Sequence, residues 1–402
     1  MTTKCETTKG TKLGLYGGTF DPPHLGHEAA ARAAAQALGL DRLILMPTAQ
    51  PPHKHGASAE SVHRLAMTTL LADAVDCHCE TKVLCSDFEV EKGGASYTID
   101  TLEMLRRENP QAALYLLTGA DMFFTLQRWR EAGRLLSAAT VCAFGRSKAQ
   151  SGMEEQKAYL EREFGAKVIL LDIPDVVEIS SSDLRESLNP AFLLPQVFGY
   201  ILRHGLYGVE RDLKHLSFDE LRAVSYSWIY ARRIPHVHGT EETAAALARQ
   251  YGADETQVRR AAILHDITKY ISRSEQLQLA EKYGMMLDRQ TLSAEKLLHA
   301  KTGAALAAAE YGAEQAVADA IFWHTTGHAN MTLPEKIIYL ADYIEPNRDF
   351  EGVETVRALA KESLDAAVLK GLEQTVEELE EKGATVHGDT LAAVQSLKEG
   401  QT

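Results

Sequence analysis

A short apolar run, Leu13-Gly14-Leu15-Tyr16, leads directly into Gly17-Gly18-Thr19-Phe20-Asp21-Pro22-Pro23-His24-Leu25-Gly26-His27 and then into an alanine-rich stretch, 28–38. No other segment restricts the possible folds as tightly. It predicts a strand, a glycine turn and a helix in immediate succession. Glycines at such a turn let backbone N–H groups approach an anion closely, and the helix N-terminus adds favourable partial charge. Two histidines, three residues apart with a glycine between them, then face the same anion. The segment reads as a nucleotide site that holds the reacting phosphate of ATP.

The alternation continues to about residue 207. Candidate strands lie at 13–16, 42–46, 83–88, 113–117, 140–144 and 167–171, with helical patterns at 61–74, 98–107 and 154–164. Strand–helix alternation at this spacing implies an α/β, Rossmann-like domain with a mostly parallel sheet covered on both faces. Ligands in such sheets bind beyond the carboxyl ends of the strands, where Gly17 to His27 fall. After residue 208 the pattern changes to helix-turn-helix throughout, at 240–251, 255–264, 274–283, 301–311, 334–343 and 364–381. Gly252, Gly284, Gly312 and Gly383 fall where helices prefer to end. A chain of 402 residues exceeds one ordinary core. The expected division is an α/β domain over 1–208, a charged connector over 209–218 and an all-α bundle over 219–402.

Composition narrows the function classes. A net charge of −14 argues against a general nucleic-acid binder but leaves nucleotide substrates open, since those need only local cations. No apolar stretch is long enough to span a membrane, and residues 1–12 lack a signal-peptide core, so a cytoplasmic enzyme without membrane partners is expected. The five cysteines form no regular framework, which fits a reducing compartment.

Three further clusters accompany the glycine turn. Pro47-Thr48-Ala49-Gln50-Pro51-Pro52-His53-Lys54 follows the second strand, and Gly119-Ala120-Asp121 follows the fourth, with Trp129 beyond. Ile179-Ser180-Ser181-Ser182-Asp183-Leu184-Arg185 then places hydroxyls and an arginine at a helix start, where distal phosphates can be cradled. Over nearly all of 12–208 the chain resembles the nucleotidylyltransferase superfamily with its H-x-G-H signature. More narrowly, it is similar to the bacterial nicotinate-mononucleotide adenylyltransferases. That resemblance implies catalytic contacts from His24, His27 and Arg185 to the ATP phosphates, with Ser180 and Ser181 holding the β- and γ-phosphates. It also assigns Gly17, Gly18, Thr19, Phe20, Gly119, Asp121 and Ile179 to ATP, and Lys54, Thr98 and Trp129 to nicotinate mononucleotide. Mg²⁺ would accompany the ATP. Lys54 can equally face solvent, Trp129 can equally be core, and side chains alone do not separate the acid from the amide mononucleotide.

The helical half is dense in histidine: His236, His238, the pair His265-Asp266, His299, His324, His328, and then Asp342. Imidazoles with carboxylates suit a borderline divalent ion, and a site with open positions can activate water near neutral pH. The strings Ala262-Ile263-Leu264-His265-Asp266-Ile267-Thr268-Lys269 and Ala341-Asp342-Tyr343-Ile344-Glu345-Pro346 resemble the HD phosphohydrolases, in particular bacterial proteins that cut diadenosine tetraphosphate symmetrically into two ADP. The resemblance covers about 219–390. It implies a metal quartet of His236, His265, Asp266 and Asp342, with His265 and Asp266 also catalytic. His299 and His324 become further ligands or phosphate contacts, and Arg348 a phosphate contact. One or two divalent transition-metal ions are implied, iron foremost, with manganese, cobalt or zinc as alternatives.

The combined expectation is a bifunctional enzyme acting on ATP, nicotinate mononucleotide and diadenosine tetraphosphate. Open alternatives are another nucleotide substrate or a sensing role for the helical half, and preference for the amide mononucleotide in the first. Self-association into a homo-oligomer also stays open.

Overall fold

In the computed structural model, β1 (Lys12–Gly18) lies inside a six-stranded sheet with β2 (Arg42–Pro47), β3 (Lys82–Cys85), β4 (Ala113–Gly119), β5 (Thr140–Phe144) and β6 (Val168–Leu171). The order is β3-β2-β1-β4-β5-β6, and every pairing is parallel. Residues 10–49, 59–145, 150–173 and 179–400 are described. Side chains alternate between two cores, as a pleated strand requires. Leu13 and Leu15 pack with Leu114, Leu116 and Val141; Tyr16 packs on the opposite face with Leu43, Leu45 and Leu117. A Cβ at Gly14 would lie 2.6 Å from Leu40 Cδ1 and 2.9 Å from Leu43 Cδ1, so any larger residue there would force these buried side chains to shift. Strand order reverses between β1 and β4, and such a switch point opens a crevice beyond the strand ends.

Several boundaries differ from expectation: the helices expected at 154–164, 240–251 and 301–311 begin at Gln150, Ile234 and Glu295, and two further differences have a visible cause. The third strand stops at Cys85 instead of reaching Phe88. The Ser86 N–H makes a last bond to the Leu45 carbonyl, and the Ser86 hydroxyl accepts the Phe88 N–H, turning the chain into the short helix Phe88–Lys92. The helix after the glycine run begins at Leu25, not Glu28, because His24 caps it.

The chain divides into two compact units, 1–201 with 206–209, and 202–205 with 210–402. Among its described residues the second unit is helical without a strand. Helices Ile234–Tyr251, Glu255–Leu264, Glu295–Tyr311, Gln315–Trp323 and Leu333–Ile344 pack around a core that includes Val237, Ala262, Leu298, Ile321 and Ile338. Gly252 and Gly312 end two of them in the left-handed conformation, with φ of 75° and 61°. His265 and Asp266 stand just past the end of Glu255–Leu264, in the following turn. The His265 Nδ1 bond to the Ala262 carbonyl, 2.6 Å, holds that turn.

Candidate active sites

A cavity of about 450 Å³ opens at the switch point, lined by Gly17, Gly18, Thr19, His24, His27, Thr98, Gly119, Asp121, Trp129 and Ile179. These are ten of the residues singled out in the sequence. A Cβ on Gly17 would meet nothing within 4 Å, so its backbone is open to the cavity. The two histidines form the cap of helix Leu25–Leu38. His24 Nδ1 accepts the Gly26 N–H at 3.1 Å, and His27 Nδ1 accepts the His24 N–H at 3.2 Å. A ring nitrogen that accepts carries no hydrogen, so both imidazoles hold their proton at Nε2. Each therefore carries its N–H on Nε2 while its other nitrogen shapes the backbone.

The remaining expected residues of this half are placed differently. Phe20 does not line the cavity; it is buried, with its ring centroid 5.0 Å from that of His27, and its φ is +49°. The Ser180 hydroxyl is engaged with Asp183 in a capping box, and the Ser181 hydroxyl donates to the Pro22 carbonyl at 2.9 Å. Arg185 donates to the Asp21 carbonyl at 2.7 Å and to the Ser182 hydroxyl at 2.9 Å. Lys54 lies outside the described residues. Trp129 is half-buried, packs against the core and donates from Nε1 to Thr125 Oγ1 at 3.1 Å, so it is both a core residue and a cavity wall.

In the helical unit, polar atoms of His236, His265, Asp266, His299, His324 and Asp342 converge. His236 Nε2 lies 3.2 Å from His265 Nε2 and 3.1 Å from Asp342 Oδ1. His299 Nε2 lies 3.2 Å from His324 Nε2. Asp266 joins the two sets. Its Oδ2 is 3.4 Å from His265 Nε2, and its Oδ1 is 3.3 Å from His299 Nε2. Arg348 donates to the Asp342 carbonyl and, at 2.5 Å, to its Oδ1.

The hydrogen placement here is the reverse of that in the first site. Nδ1 of His265 and His324 bond the Ala262 and Ile321 carbonyls, and Nδ1 of His236 bonds Glu345 Oε1 at 3.0 Å. Those partners accept, so the three Nδ1 atoms donate and the three Nε2 atoms present lone pairs. Burial lowers His236 in spite of Asp342, and burial with His265 and His299 nearby lowers His324 far below its ordinary value. Burial would raise Asp266 and Asp342, but positive charge beside them, Lys269 on the first and Arg348 on the second, opposes it, and both carboxyls lie well below the usual range. Lone pairs and anions thus converge with too few hydrogens between them. That donor set fits a divalent cation, and triads such as His236, His265 and Asp342 have their donor atoms within 4.8 Å of one another.

Residues 15–187 match the cytidylyltransferase-like family, and residues 233–347 match the HD domain family. A "probable nicotinate-nucleotide adenylyltransferase" of Gemmatimonas aurantiaca is 35% identical over 202 residues, 49% of this chain and 92% of the relative. A "bis(5'-nucleosyl)-tetraphosphatase, symmetrical" of Halalkalibacterium halodurans is 44% identical over 168 residues, 41% of this chain and 88% of the relative. The chain belongs to both families. A solved structure described as a predicted HD superfamily hydrolase involved in NAD metabolism, from Clostridium acetobutylicum, is 34% identical, with 46% of this chain and 98% of that one covered at a TM-score of 0.45.

Several supports of the cytidylyltransferase-like half were not singled out in the sequence. Arg64 is 1% exposed, and its guanidinium bonds the carbonyls of Ala59, Thr19, Thr48 and Ala49, tying the loop after β1 to the loop after β2. Asp21 accepts the Tyr207 hydroxyl at 2.8 Å and the Ala59 N–H. Glu89 lines the cavity from a buried position. Burial pushes its carboxyl up, while the Thr101 and Ser96 hydroxyls pull it back.

The HD half has two such supports. Arg233, one turn before His236, pairs with Asp266 Oδ2 at 2.7 Å. Glu345 is 1% exposed and orients His236. The i, i+3 spacing of Arg233 to His236 and of Asp342 to Glu345 was the available signal. Carboxylates that orient a metal-binding histidine are worth about 10–100-fold in affinity or activity. Glu345→Gln is therefore expected to weaken metal retention about tenfold or more, read as the free-metal concentration at half-loading, with helix content unchanged by circular dichroism. Unaltered loading would remove Glu345 from this role.

Proposed function

We propose that the chain is a bifunctional enzyme of nucleotide metabolism. The first half transfers an adenylyl group from ATP to nicotinate mononucleotide, releasing pyrophosphate. The second hydrolyses diadenosine tetraphosphate to two ADP. The relatives' names support each activity for the half that resembles them.

For the first half, the observation that carries the reading is the histidine cap facing the cavity. The acceptor phosphate attacks the α-phosphorus of ATP in line, and no covalent intermediate on the protein is needed. Catalysis then rests on positioning and on donors aimed at the charge that develops on the phosphoryl oxygens. The Nε2–H groups of His24 and His27 supply those donors without a proton changing place. Arg185 leaves the Asp21 carbonyl for the distal phosphates, and Mg²⁺ would accompany the triphosphate. Trp129 gives the pyridine ring a flat wall. Pyrophosphate release measured with the acid and the amide mononucleotide in parallel tests this. Faster turnover of the acid supports the assignment, and preference for the amide overturns the acceptor.

For the second half, the carrying observation is the shared carboxylate of Asp266 between two groups of lone-pair donors. His236, His265, Asp266 and Asp342 would hold one divalent ion, and Asp266 with His299 and His324 a second. Bound there, such ions polarise phosphoryl oxygens and lower the pKa of water. The chain's own contribution is to keep the Nε2 atoms bare and the carboxylates ionised. Arg348 and Lys269 add positive charge at the rim, suited to a polyphosphate.

A further inference from the structure

The cavity of the first unit contains two polar atoms that nothing in the preceding account uses. Glu89 is 6% exposed and lines the cavity. Its Oε1 accepts the Thr101 hydroxyl at 2.6 Å, whereas its Oε2 is buried with no hydrogen-bond partner among the described residues. Thr48 lines the same cavity, and its Oγ1 is likewise buried without a partner among those residues. Ser96 connects the two. Its Oγ accepts the N–H of Ala49, next to Thr48, at 3.1 Å, and it stands in the segment between Glu89 and Thr98. A buried polar atom left unbonded is unfavourable, and native structures rarely keep one without a reason. Two of them in one ligand-sized cavity point to a ligand group that satisfies both.

The chemistry of the pair limits that group. A carboxylate oxygen only accepts, and it disfavours another anion beside it, so neither a phosphate nor a ring carboxylate belongs there. A threonine hydroxyl gives or takes one hydrogen bond. Together they suit a sugar hydroxyl, as carboxylates suit ribose in other nucleotide folds. The neighbourhood of Thr98, assigned above to the acceptor, points to the acceptor nucleotide. Thr48 follows β2, and Glu89 follows β3 in the segment that leads to Thr98, all on one side of β1. Gly119 and Phe144, which end β4 and β5, lie on the other side.

We propose that Thr48 and Glu89 hydrogen-bond the ribose hydroxyls of the acceptor mononucleotide and so select a ribonucleotide acceptor. This rests on the adenylyl-transfer reading above. Glu89→Gln keeps an oxygen for Thr101 but sets an N–H where the acceptor stood, and Thr48→Val removes the hydroxyl at constant shape. The experiment measures kcat and KM for nicotinate mononucleotide and for its 2′-deoxy and 3′-deoxy analogues, with ATP and 2′-deoxy-ATP as controls. For the unaltered chain, loss of one acceptor hydroxyl should lower kcat/KM about tenfold or more. In Glu89→Gln the acceptor KM should rise by a similar factor, the deoxy penalty should shrink to within about twofold, and the KM for ATP should hold.

A purely structural role would leave the deoxy penalty intact, which overturns the proposal, as would an unaltered chain indifferent to both deoxy acceptors. A penalty that shifts with 2′-deoxy-ATP instead places the pair on the wrong nucleotide and also overturns it. Thr48→Val carries the same comparison should Glu89→Gln fail to fold. Absence of transfer to any mononucleotide is a failure of the underlying reading. Calorimetric binding of the ribo and deoxy acceptors then decides the proposal separately, and equal affinities reject it.

Discussion

Asp266→Asn is expected to lower diadenosine tetraphosphate hydrolysis on the order of 10³-fold or more while adenylyl transfer stays within about twofold. The residue is 1% exposed and, among the described residues, is the carboxylate that faces both histidine groups, with Oδ2 toward His265 and Oδ1 toward His299. An amide there loses the charge and presents an N–H to lone pairs, so the variant should also lose bound metal by elemental analysis. Arg233 and Lys269 would be left without their partner, 2.7 Å and 2.9 Å away in the native arrangement. Hydrolysis that persists with the metal gone would place the chemistry elsewhere.

The second large effect is expected at His24. His24→Asn keeps a side-chain acceptor suited to an N-cap but has no counterpart of Nε2–H. The rate of adenylyl transfer should fall about 10²–10³-fold, the scale of one donor to a developing oxyanion. Unfolding of the first unit should be nearly unchanged. His24→Ala, which also removes the cap acceptor, should lose comparable activity and be measurably less stable. Equal stability in the two variants would contradict the capping role, and a slight rate effect in both would contradict the catalytic one.

The two sites use the same side chain in opposite ways. In the first, backbone N–H groups occupy Nδ1 and leave Nε2 as a donor. In the second, backbone carbonyls and Glu345 take the Nδ1 hydrogen and leave Nε2 with a bare lone pair. A phosphate needs the former, and a cation needs the latter. The tautomer is thus set by where each helix begins or ends, His24 at an N-terminus and His265 and His324 at C-termini.

Much of this was legible before the structure. The strands are short apolar runs bounded by polar turns, so five of six were placed nearly to the residue, and the glycine turn fixed the order of strand, turn and helix. Asp266 and its histidines stood out because the helical half is dense in histidine and carries the two strings that resemble HD phosphohydrolases. What escaped were single polar residues whose role exists only in three dimensions. Arg64 reads as one more exposed arginine in helix Ser61–Cys77, yet four carbonyls surround it. Glu89 lies in a charged segment, Asp87 to Lys92, that suggests surface. The Ser180 hydroxyl also caps its own helix, which its residue type alone does not show. Periodicity registers burial of apolar side chains and is blind to a polar one that the fold encloses.

The most direct test of the bifunctional reading is product analysis of the metal-loaded full chain incubated with diadenosine tetraphosphate, with His265→Ala alongside. ADP as sole product, lost in His265→Ala, is the predicted result. ATP with AMP would contradict the symmetrical cut, and no turnover would contradict the second activity altogether.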